Sequence, residues 1–193
     1  YTAFQLDLAH GHPDAAQRAT AQARGDLLIP IVKGWSTEGG IEIASLGIQV
    51  HGGMGYIEET GAAQALRDVR ITTIYEGTTG IQSNDLVGRK TARDGGRMAL
   101  AVGKQIEATE AELGARDSAA ALAVARRLQA ARTAFEQAVV FIAGRTKSDP
   151  NAAFAGSVPY MMLAGNLVAG WQMARALIAA EDRLAAGEDE AFM

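Results

Sequence analysis

Along almost all of this chain the apolar residues recur three and four positions apart, alanine is abundant and runs of β-branched residues are scarce. That spacing matches the 3.6-residue turn of an α-helix and not the two-residue alternation of a strand. The chain is therefore expected to be all-α. Met98, Val102, Ile106, Thr109 and Leu113 mark one helical face, and Leu122, Ala125, Leu128, Phe135, Val139 and Ile142 mark a second. A third runs through Leu163, Leu167, Trp171, Ala174 and Ile178. Amphipathic helices of this length bury their stripes against one another as an antiparallel helical bundle.

Breaks in the pattern divide the chain. Residues 14–25 and 26–48 read as two helices, with Asp26 capping the second and Pro30 near enough its start to be tolerated or to kink it. Gly52-Gly53-Met54-Gly55 ends that stretch as a loop whose backbone admits close approach. Thr60 is placed to cap a short helix over 61–69, and Thr78 or Thr79 one that runs to Gly95-Gly96. Lys147-Ser148-Asp149-Pro150-Asn151 has the chemistry of a turn between helices. A domain boundary is expected near residue 95, giving residues 1–95 and 96–193. Tyr1-Thr2-Ala3-Phe4 reads as a helix already in progress and the last residues carry no terminator, so both ends are expected to be cuts.

With 193 residues, 48% of them apolar, the chain is long enough for a sizeable core. A net charge of −4 offers no basic excess for nucleic acid or an anionic membrane surface. Having no cysteine, it can form neither a disulfide nor a thiolate metal site. The absence of an apolar run of about 18 residues argues against a membrane span, and a cytoplasmic location is expected.

Chemistry concentrates in Gln49-Val50-His51-Gly52-Gly53-Met54-Gly55-Tyr56, then Arg67-Asp68, then Ile74-Tyr75-Glu76-Gly77-Thr78. Alone, each has a plain alternative. A glutamate at a helix start favours the helix dipole, a double glycine joins two helices, and a threonine caps. His51 reads as a packing or hydrogen-bonding residue, and Arg67-Asp68 as a local ion pair. His10-Gly11-His12-Pro13-Asp14 reads as a turn and not a zinc site, so no metal is expected. Trp171, Met161, Met162 and Met173 are expected in the core.

Taken in order and in register, the three motifs resemble the acyl-CoA dehydrogenase family. Residues 1–93 are similar to its C-terminal helical domain. Residues 97–193 more loosely resemble the helical extension of a longer subgroup that includes 3-methylmercaptopropionyl-CoA dehydrogenases. The resemblance implies a flavoprotein of fatty acid metabolism that takes the α-proton from an acyl-CoA substrate and passes the β-hydride to FAD, leaving a trans-2-enoyl-CoA. Glu76 matches the family's base. A carboxylate suits that role because the thioester carbonyl acidifies the α-proton. Gln49, Gly52 and Gly53 match positions that contact FAD bound mainly by a neighbouring subunit, and Thr78 one that touches the flavin. Tyr75 and Gly77 flank the base on the substrate side. Where many members have a glutamine two residues after the threonine, this chain has Gly80, which leaves no side chain there for the cofactor. Electron-transfer flavoprotein as acceptor and a homodimer or homotetramer follow from the resemblance. Two alternatives stay open: an acyl-CoA oxidase that passes electrons to oxygen, and a non-catalytic helical scaffold.

Overall fold

The computed structural model describes residues 1–187, and every regular element among them is helical. Helix α1 (Thr2–Gly11) turns back at His12-Pro13 onto α2 (Ala15–His51), which Asp14 caps by accepting from the Ala16 amide at 2.8 Å. The His10 ring donates to the Leu6 carbonyl and His12 accepts from the Asp14 amide, so both imidazoles serve this turn.

The two helices expected over 14–48 are one. Asp26 is not a cap but lies inside α2, 4.0 Å from Lys90, and Pro30 sits buried in mid-helix. An internal proline forfeits a backbone bond at a cost of about 3 kcal/mol. Here the surrounding packing offsets it, because Leu27, Leu28 and Ile31 are almost fully buried around Pro30.

After α2 come the short α3 (Gly53–Tyr56), a 3-10 turn at Glu58–Thr60, α4 (Ala62–Arg70), a second 3-10 turn at Ile71–Thr73, and α5 (Thr79–Asp85). Helix α5 passes directly into a wider π-helical stretch, Leu86–Ala92. Thr60 does not cap α4. Its hydroxyl donates to the Met54 carbonyl at 2.6 Å, and Gly61, in a left-handed conformation, starts the helix instead.

Beyond the Gly95-Gly96 turn, α6 (Arg97–Gly114), α7 (Ala119–Arg145), α8 (Pro150–Ala155) and α9 (Ser157–Ala185) complete the bundle. The turn expected at 147–151 is there, yet Pro150 already opens α8, capped by Asp149. Each expected face is largely the buried one. Leu122 is an exception, turned outwards while its neighbour Ala121 is buried, and Met173 is exposed, although Met161 and Trp171 lie in the core.

One hydrophobic cluster joins Leu27, Leu28 and Ile31 of α2, Leu86 and Val87 of the π stretch, and the inner faces of α6, α7 and α9. Residues on both sides of residue 95 thus share a core. The crossing of α2 and α9 is close, since a Cβ at Gly34 would meet the Met161 sulfur and one at Gly165 the Trp35 ring. Inside the α6–α7 pair, Arg132 is largely buried and bonds Glu110 through Nε and Nη2, each at 2.9 Å, and also Glu136. Those carboxylates hold its guanidinium above the ordinary arginine range against the opposing effect of burial. Ser83–Ser157 and Thr91–Tyr160 hydrogen bonds fasten α5 and the π stretch to α9.

Candidate functional site

The Ile74–Thr78 segment runs from the 3-10 turn at Ile71–Thr73 into α5. The Ile74 and Tyr75 amides both donate to the Ile71 carbonyl, and Thr73 is buried and accepts from Arg70. At the other end Thr78 caps α5, its hydroxyl accepting from the Ile81 amide at 3.3 Å. Between these anchors the chain takes an unusual path. Glu76 has φ +53°, the one positive φ outside glycine among the described residues, and Gly77 follows at +93°. A β-carbon crowds its own backbone in that region, so a glutamate stays there only when its surroundings hold it.

Three side chains do the holding. The Gln82 amide donates to the Glu76 carbonyl at 3.0 Å, and the Lys33 ammonium donates to the Gly77 carbonyl at 2.5 Å. Two residues on, the Thr79 hydroxyl donates to the Glu38 carboxylate. Lys33 and Glu38 both come from α2, so the loop is fixed to the long helix as well as to α5. Gly77 cannot be replaced without disturbing this, since a Cβ there would lie 2.6 Å from the Gln82 amide nitrogen. The Glu76 carboxylate itself is exposed, and among the described residues it makes no hydrogen bond or ion pair. Tyr75 beside it is half exposed.

The glycine turn is built differently. His51 closes α2 with its ring donating to the Gly47 carbonyl at 2.8 Å, and Gly52 follows with φ +62°. Gly55 is buried, with room for no β-carbon because one would fall 2.4 Å from the Ile48 carbonyl. At Gly53 φ is not positive and a Cβ would meet nothing within 4 Å. Fold and turn geometry give Gly53 no internal reason to be glycine. Exposed bare backbone beside the exposed Gln49 side chain suits close approach of a group from outside, as a large anionic cofactor requires.

Tyr75, Glu76, Gly77 and Thr78 therefore gather at one place, and Gln49, Gly52 and Gly53 at another. Gln49 lies eleven residues beyond Glu38 on α2, roughly 16 Å of helical rise. Along α2 the two groups are thus about three helical turns apart. Arg67 pairs with Glu58, by two bonds at 2.9 and 2.5 Å, and not with Asp68. Successive helical residues point about 100° apart, which puts the sequence neighbour out of reach. A cleft of about 650 Å³ opens beside Thr79, lined by Glu38, Ile41, Leu46, Val158 and Met162 among others, so α9 contributes to its wall.

Lys33, Glu38 and Gln82 belong to no motif. The available signal was a single lysine among Ile31, Val32, Gly34 and Trp35, where an apolar residue would ordinarily face the core. No helix among the described residues is long and apolar enough to cross a membrane.

Two family models match the chain. Residues 10–90 match "Acyl-CoA dehydrogenase, C-terminal domain", and residues 102–193 match "Acetyl-CoA dehydrogenase C-terminal like". A 3-methylmercaptopropionyl-CoA dehydrogenase of Ruegeria pomeroyi is 53% identical over 188 residues, covering 97% of this chain and 32% of that protein. A broad-specificity linear acyl-CoA dehydrogenase of Mycobacterium tuberculosis is 31% identical over 86% of this chain and 28% of its own length. A subunit of a caffeyl-CoA reductase–Etf complex of Acetobacterium woodii is 45% identical over 47 residues, 24% of this chain and 12% of that protein. The chain thus spans about a third of the length of the first two curated relatives.

Proposed function

Because this chain belongs to the acyl-CoA dehydrogenase family, we propose that it forms the base-bearing helical part of an enzyme that oxidises an acyl-CoA thioester to its trans-2-enoyl-CoA. The observation that carries this reading is Glu76, an unpartnered carboxylate on a backbone conformation that glutamate does not adopt without support. Strain of that kind is retained where a side chain must be held for a task. A scaffold gains nothing from it, which favours an enzyme over the helical interaction module.

In this reading a Glu76 carboxylate oxygen takes the α-proton of the thioester, a general-base step. Tyr75 and Gly77 present the substrate side of the loop. FAD, when bound, supplies the acceptor for the β-hydride. Gln49 and the bare backbone at Gly52 and Gly53 are suited to hold FAD, and Thr78 to contact the flavin while capping α5. Since the glycine turn lies far from Glu76 along α2, each site would take one group from each of two copies, which supports a homodimer or homotetramer. Residues 96–193 serve as support, because α9 is fastened to α5 and the π stretch through Ser157 and Tyr160. The name of the Acetobacterium relative, a subunit of an Etf complex, favours electron-transfer flavoprotein as the acceptor over oxygen.

The test is anaerobic mixing of the purified intact enzyme with acyl-CoA. Bleaching of the flavin with formation of 2-enoyl-CoA is expected, and no bleaching with any acyl-CoA overturns the proposal. Peroxide formed at the rate of turnover in air would identify the oxidase variant.

A further inference from the structure

Resting on the reading of Glu76 as the base, we propose that Lys33 and Gln82 are positioning residues that hold the base in its reactive place through the backbone. Glu76 and Gly77 are consecutive residues with positive φ, and the carbonyl of each is taken by a side-chain donor from outside the loop. Gln82 comes from the helix that the loop opens, and Lys33 from a helix 44 residues earlier in the chain. Their donors fix the directions of the two successive peptide planes that follow Glu76. The first of these, attached to the Glu76 Cα and itself held through Gly77 by the second, constrains where the Cα–Cβ bond points. Without them the relaxed conformation open to any glutamate competes, and the carboxylate moves with it. An error of about an ångström in the placement of a reacting group costs on the order of 10²-fold in rate.

Lys33 suits this role better than an exposed surface lysine. It is half-buried on a helix whose neighbouring residues Ile31 and Gly34 are buried, and it reaches a carbonyl at 2.5 Å. Methionine preserves the apolar stem and removes the donor, and arginine restores one.

The experiment measures anaerobic flavin reduction by acyl-CoA in the intact enzyme for wild type, K33M, K33R, E76Q and the double variant K33M/E76Q. K33M is expected to slow reduction by about 10- to 10²-fold, with flavin content and substrate dissociation constant unchanged and K33R recovering part of the rate. In the E76Q background, where the base is already gone, K33M is expected to change nothing further. Should K33M lose its flavin, Q82M removes the other donor and carries the same expectation. Wild-type reduction by K33M beside a slow E76Q overturns the positioning role alone. An equal loss from K33M in both backgrounds assigns Lys33 to general stability and also overturns it. Wild-type reduction by E76Q overturns the base reading, and the inference with it.

Discussion

Gly165 of α9 lies so close to Trp35 of α2 that a Cβ there would come within 2.2 Å of the indole Cγ. The ring has little freedom to retreat, since its Nε1 donates to Asn166 at 2.8 Å. Gly34, one residue before Trp35, is tight as well, but its obstacle is the far end of Met161, with the sulfur at 2.3 Å. A methionine end can rotate, whereas the root of an indole cannot. G165A is therefore expected to destabilise by about 3 kcal/mol, near the top of the range for overpacking, and G34A by less. Thermal unfolding midpoints check the order, and G34A proving the worse of the two would contradict it.

The strain at Glu76 makes a prediction about stability. Glycine carries no penalty at φ +53°, where a residue with a β-carbon gives up about 1–2 kcal/mol. E76G is expected to raise the unfolding midpoint by a few degrees while abolishing turnover. A lowered midpoint would mean that the glutamate side chain stabilises the loop.

Tyr160 is buried, stacks on Phe135 with ring centroids 5.6 Å apart, and shares a 3.0 Å hydrogen bond with Thr91. Burial is the main reason its phenol ionises well above the ordinary tyrosine range; the Thr91 bond opposes the shift and nearby Asp94 adds to it. An unfolded tyrosine loses its proton near pH ~10, and the folded one only at higher pH. The stabilisation is thus complete below about pH 10 and is lost as pH rises beyond it. Tyr1, half-buried, is shifted in the same direction, also chiefly by burial. Y160F is expected to cost about 1 kcal/mol at neutral pH through the lost hydrogen bond and to flatten the fall in stability above about pH 10. An unchanged alkaline slope in denaturant titrations would contradict this.

Much of this architecture was legible in the sequence, because long helices announce themselves through the spacing of their apolar residues. The faces through Ile106, Phe135 and Leu167 are the buried ones, and the cap at Thr78 is where its position before α5 suggested. Errors arose where a local signal competed with tertiary packing. Pro30 and Asp26 looked like a helix start, yet the core around Leu28 carries the helix through the proline. Thr60 had the chemistry of a cap but found the Met54 carbonyl, six residues away. At the candidate site Glu76 was visible through its motif, and its backbone strain was not, because φ follows from contacts with Lys33 and Gln82 that no local pattern encodes.

The central claim is that Glu76 removes the α-proton, and the most direct measurement is stopped-flow flavin bleaching by E76Q in the intact enzyme under anaerobic conditions. Glutamine retains the shape and loses the basic oxygen. Flavin content and acyl-CoA binding are expected to match wild type, while reduction slows by on the order of 10² to 10⁴ or more, with kcat and kcat/KM falling together and KM little changed. Bleaching at the wild-type rate would contradict the account and place the base elsewhere in the enzyme.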